Sequence, residues 1–139
     1  MRLCVIASST LMLLATATPI DAKQPRVVID LHAQRAEIRA ALLKSTPKGS
    51  STDFVIAFIS EQLQLAEHRS PVAVQPVSDV SQPRATSRIR IRLGDYYKNL
   101  GAIFLSAPMV VHEEVHAQWW FDREGRLLEI SVDKKGDVY

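Results

Sequence analysis

The 139-residue chain has one cysteine, Cys4, and it falls inside an N-terminal apolar segment. The rest of the chain can form no disulfide and offers no thiol nucleophile, so an ordinary apolar core must hold it together. An excess of one charge is lacking too, since 17 Lys and Arg stand against 15 Asp and Glu, a net of +2. That balance excludes strong electrostatic attraction to nucleic acid or to an acidic membrane surface. The five glycines form no glycine-rich phosphate loop, and no G-x-S-x-G elbow marks a serine hydrolase. No internal repeat is visible.

A long apolar run is also missing. "LCVIASSTLMLLATA", which follows Arg2, has about 15 apolar or small residues before Pro19, where a spanning helix needs ~20. It reads as a signal peptide, with small residues suited to cleavage after Ala17 or Ala22. Residues 1–22 are assigned to the signal and 23–139 to one small domain. No apolar run precedes Cys4, so it is not placed for lipidation. The expected location is periplasmic or secreted, without a stable membrane anchor once the signal is cut. Arg2 and Asp21 leave together, so the net charge of the remainder stays +2.

In the remainder, Asp30 can cap a helix through "LHAQRAEIRAALLK", where Leu31, Ile38, Ala41 and Leu42 recur at helical spacing. "STPKGSS" breaks the chain, and Ser51 or Thr52 can cap a second helix, "DFVIAFISEQLQLAEH", whose front half should be buried nearly all round. Residues 71–87, rich in proline and serine, suit an extended loop, with a short edge strand at Val72 to Val74. "RIRIRL" alternates as a half-buried strand does, Ile89, Ile91 and Leu93 to one side and Arg88, Arg90 and Arg92 to the other. "GDYYKNLGAIFLSAP" is taken as a loop with a short strand at Ala102 to Leu105. "VHAQWWF" and "RLLEISV" flank "DREG" as a hairpin, with Val115, Ala117, Trp119, Phe121, Leu128, Ile130 and Val132 facing the core. The expected fold is α+β: two N-terminal helices packed on one face of a roughly three-stranded antiparallel sheet, the other face open.

One stretch spells a reaction. "VVHEEVH" places His112, Glu113 and His116 in the H-E-x-x-H order of zinc peptidases. On a helix the two imidazoles could share an ion, whereas on a strand four residues at ~3.3 Å each set them ~13 Å apart. The neighbourhood alternates with period two from Val115 to Phe121, which favours the strand. Glu114 follows the first glutamate, and Trp119 stands where an extended zinc motif has glycine. His32 and His68 read as surface or capping histidines.

The outward side of the sheet then carries Arg88, Arg90 and Arg92 beside His112, Glu114, His116, Gln118 and Trp120. One reading is a solvated face whose arginines pair with Glu114 and Glu129. The other is a docking face formed by Arg88, Arg90, Arg92, His116, Trp120 and Leu127, since an outward Trp beside Arg is a common interface anchor.

The turn-and-helix run "TPKGSSTDFVIAFI", together with the aromatic-Phe-Asp-x-x-Gly-Arg-Leu hairpin "WWFDREGRLLEISV", resembles small exported bacterial domains of the SmpA/OmlA (BamE-like) type. The resemblance spans roughly residues 38 to 133. It implies a helix-pair-on-sheet adaptor, a class in which some members are lipoproteins assisting outer-membrane protein assembly. The expectation is therefore a non-enzymatic exported domain that binds a periplasmic or outer-membrane protein or another envelope component. Neither a cofactor nor nucleic acid is expected. The alternative is a zinc-dependent peptidase using His112, His116 and Glu113. On export the signal should be removed after Ala22, and Edman sequencing of the secreted protein should then begin at Lys23.

Overall fold

The computed structural model describes residues 25–65, 71–78, 81–101 and 109–138. The expected signal peptide, His68 and the strand at 102–105 lie outside these residues. The described part holds a four-stranded antiparallel sheet in the order β1-β2-β3-β4, with β1 at Val74–Pro76, β2 at Ser87–Asn99, β3 at Val110–Phe121 and β4 at Leu127–Val138. Two short helices accompany it: α1 at Arg35–Ser45, and α2 at Thr52–Ala57, which runs on into a π-helical turn at Phe58–Gln62. No helix among the described residues is long and apolar enough to cross a membrane.

This corrects the expected arrangement of two N-terminal helices on about three strands. The sheet has four strands, because the proline-rich segment contributes β1, which pairs Val74 with Ile89 and Pro76 with Ser87. The helices are shorter than their patterns suggest, and with residues 1–24 undescribed nothing places them at the N-terminus. Asp30 does not start α1. Its carboxylate accepts the His32 amide at 2.9 Å and closes a local turn, an alternative that aspartate offers to the backbone in competition with helix. Gln34 precedes the helix instead, its amide donating to Glu37 at 2.9 Å. At α2 the expected cap holds, with the Ser51 hydroxyl accepting the Phe54 amide at 3.2 Å. The front half is not buried all round, however, since Phe54 faces solvent.

β2 also runs further than "RIRIRL". It continues through "GDYYKN" to Asn99 because a bulge between Arg92 and Gly94 inserts one extra residue. A second irregularity at Trp120/Phe121 sets Leu127, not Leu128, opposite Phe121. Such slips exchange the two faces of a strand. Leu127 is therefore a core residue, 2% exposed, and the docking role expected for it is overturned.

The core lies between the helices and one sheet face. Ile38 and Leu42 of α1 pack with Val55, Phe58, Ile59 and Leu63 against Ile89, Leu93, Val115, Ala117, Trp119, Phe121, Leu127, Ile130 and Val132. Trp119 is fully buried at its centre, and its indole N–H donates to the Thr46 hydroxyl at 3.1 Å. Thr46 in turn donates to the Leu42 carbonyl at 2.9 Å, so the buried polar pair is satisfied through the end of α1.

Two turns clasp each other at one end of this core. Gly49 N–H donates to Leu127 O and Leu127 N–H to Ser50 O, both at 2.8 Å; the Thr52 amide and hydroxyl both donate to Gly125 O at 3.0 Å. The "PKGSST" turn and the "DREGRL" hairpin, distant in sequence, are thus joined backbone to backbone. Gly125 sits at φ 72°, where a Cβ would also meet the Thr52 hydroxyl at 3.1 Å. Gly125→Ala should cost about 1–2 kcal/mol in urea unfolding, from left-handed strain alone, plus the displacement of Thr52. Gly101→Ala, at the same φ with nothing within 4 Å, provides the strain-only control.

Candidate functional site

β3 divides the H-E-x-x-H residues between the two faces of the sheet. Val115, Ala117, Trp119 and Phe121 point to the core, so His112, Glu114, His116, Gln118 and Trp120 lie on the opposite, outer face, and Glu113 shares the core side. His112 lies across from Tyr97 and Asp137, and His116 across from Arg92 and Asp133. Four strand residues separate the histidines by ~13 Å, so they cannot ligate one ion, and the glutamate faces away from both. Among the described residues no three His, Cys, Asp or Glu side chains converge to hold a metal.

The outer face is instead tied together by charge. His112 Nε2 lies 2.6 Å from Asp95, the Arg92 guanidinium 3.4 Å from both Asp95 and Glu114, and Glu114 3.3 Å from His116 Nε2. The result is a continuous chain, His112–Asp95–Arg92–Glu114–His116, across β2 and β3. The bond from His112 holds the Asp95 carboxyl below its ordinary value against the opposing effect of burial, and the Arg92 charge adds to this. His116 and then Arg92 do the same for Glu114. Both carboxylates are therefore ionised at neutral pH. Beyond the chain, Gln118 accepts from Arg88 at 3.2 Å and donates to Asp133 at 2.8 Å.

The residues singled out from sequence fare differently. Arg88, Arg90, Arg92 and His116 all belong to the outer face, and Arg92 makes the expected pair with Glu114. Glu129 bonds Arg39 and Lys48 rather than the β2 arginines. Trp120 is on this face but only 5% exposed: its indole N–H donates to Ser131 at 3.0 Å and the Arg88 guanidinium lies 5.6 Å over its ring. It is packed rather than presented. Arg90 remains exposed, and Tyr97, 69% exposed and stacked on His112 at 4.8 Å, is the aromatic that the face offers to solvent.

Asp95 and Tyr97 were missed because "GDYYKN" reads as loop. The available signal was Gly94 within a β-branched and aromatic run, which commonly marks a bulge. With φ at 152°, Gly94 passes the chain through a conformation that other residues rarely adopt. After it, odd-numbered residues of β2 face outward, where even-numbered ones did before.

The core side carries a second polar cluster. The Tyr96 hydroxyl donates to Glu113, and Lys134 Nζ donates to the carbonyls of Leu31 at 2.7 Å and Ala33 at 2.8 Å and lies 3.2 Å from the Tyr96 hydroxyl. His32 stacks on the Tyr96 ring at 4.3 Å. These contacts fasten the segment before α1 to β2 and β4.

No family model, curated protein sequence or solved structure matches this chain.

The hydrogen bond to Glu113, reinforced by burial and by the carboxylate charge, pushes the Tyr96 phenol from 10 up to about 12. A folded-state value above the unfolded one means that the bond stabilises fully below pH 10 and loses its contribution as pH rises through 12. An ultraviolet phenolate titration of the folded protein should show one tyrosine ionising near pH 12. In Glu113→Gln that transition should move down toward 10.

Proposed function

We propose that this protein is a small exported binding domain, without enzymatic activity, which engages a protein or other envelope component through the outer face of its sheet. The observation that carries the reading is the ion-pair chain from His112 to His116. Its side chains are held in one arrangement before any partner arrives, which lowers the ordering cost of association. Beside it, exposed Arg90 and Tyr97 are of the residue types enriched at interface centres. Arg88, Arg92 and His116 frame that contact area, and Trp120 supports it from beneath.

Export rests on the signal-like N-terminus, and the resemblance to SmpA/OmlA-type adaptors points to the same class of partner. A structural role also fits residues so fully engaged with one another. The histidines here orient carboxylates and arginine instead of converging on one reacting atom.

Site-specific photocrosslinking in the intact periplasm tests the reading. A crosslinker at Arg90 or Tyr97 should trap a discrete partner, and one at exposed Lys44 of α1 should not. The double variant Arg90→Glu, Tyr97→Ala should weaken binding of that partner by about tenfold or more, as for two rim-to-centre contacts worth ~1 kcal/mol each, with an unchanged melting temperature. Crosslinks confined to the helical side would defeat the proposal. Truncating Trp120, by contrast, should lower the melting temperature.

A further inference from the structure

β4 is the terminal strand of the sheet on one side, so the backbone groups on its outer edge have no neighbouring strand among the described residues. Such edges are templates for pairing with another chain unless something occupies them. Here side chains do. Arg39 Nε donates to Ile130 O at 2.9 Å and Arg35 Nη2 to Lys134 O at 3.2 Å, from successive turns of α1. The Ile130 amide donates to the Glu129 carboxylate at 2.9 Å, and Arg39 and Lys48 hold that carboxylate in place. Both outward groups of Ile130 are thus satisfied as a fifth strand would satisfy them. Ile130, Val132 and Lys134 share one parity, so their peptide groups point away from β3 together.

The same edge is complementary to itself. If two copies pair antiparallel with Val132 on the two-fold axis, Ile130 faces Lys134, Ser131 faces Asp133 and Glu129 faces Lys135, each pair occurring twice by symmetry. The residues with outward peptide groups then meet one another, and opposite charges meet on the outer face. Lys135 is exposed and available for this contact. α1 packs against β4, and its arginines reach the edge from there.

We infer that the free edge of β4 is a latent pairing surface for a second copy of this chain, held shut by Arg35, Arg39 and Glu129. Glu129 is well suited to the lock. Burial opposes its ionisation, yet hydrogen bonds from Lys48, Arg39 and the Ile130 amide bring it from 4.5 down to about 2, so it stays charged throughout the physiological range.

Sedimentation of the exported protein tests the inference. The variant Arg35→Ala, Arg39→Ala should dimerise about a hundred- to a thousandfold more tightly than the wild type, the gain expected from four edge hydrogen bonds, two from each copy, of ~1 kcal/mol each. Adding Lys135→Glu should return it to monomer, because acidic side chains then face one another. A double variant that keeps its far-ultraviolet spectrum and stays monomeric overturns the inference, as does a dimer indifferent to Lys135→Glu. If the double variant unfolds, Arg35→Ala alone decides, since that side chain is exposed and its loss frees only Lys134 O. Enhanced self-association sensitive to Lys135→Glu supports the inference, and monomer at every concentration ends it.

Discussion

The clasp between residues 49–52 and 125–127 is the constraint on which the rest of the structure depends. It joins the turn between the helices to the turn of the β3–β4 hairpin by main-chain bonds, so both ends are set without relying on long side chains. Once that end is closed, α1 must run alongside β4. Ile38 and Leu42 then enter the core, Thr46 comes under the Trp119 indole, and Arg35 and Arg39 reach the sheet edge. The two sequence stretches that carry the family resemblance turn out to be the two halves of this clasp.

What the sequence reveals follows the range of the interaction that decides it. The Ser51 cap, the alternation from Val115 to Phe121 and the "DREG" turn are settled within a few residues, and each is readable from its neighbours. β1 is readable only in part: an edge strand is expected at Val72 to Val74, but its bounds, Val74–Pro76, are set where β2 offers pairing partners. The two register slips are decided by pairing across the sheet, so strict parity sends Leu127 outward, while the loop-like composition of "GDYYKN" hides Asp95 and Tyr97. The period-two argument does place "VVHEEVH" on a strand, where His112 and His116 stand four residues apart on one face. Trp120 shows the remaining limit: its face was readable, but its burial comes from Arg88 and Ser131, which contact it only after folding.

The sheet serves two polar systems on opposite faces. On the core side, Tyr96, Glu113 and Lys134 secure the chain before α1, and there the phenol remains protonated far into the alkaline range. On the outer side, Asp95 and Glu114 stay ionised and alternate with cationic or neutral partners. Neighbouring residues of β2 thus perform unrelated tasks: Tyr96 is a structural fastener, and Tyr97 is a surface aromatic. Because strand residues alternate, each face can change without rewriting the other.

The bulge at Arg92/Gly94 makes that independence conditional. One inserted residue sets which half of β2 displays arginines and which displays Asp95 and Tyr97. Losing a single residue there would turn the distal half over, presenting Tyr96 and Lys98 outside and sending Asp95 and Tyr97 toward the helices. In evolutionary terms the position is a toggle for surface identity: a one-codon deletion would exchange an entire recognition pattern, while the same gene region would still encode a strand.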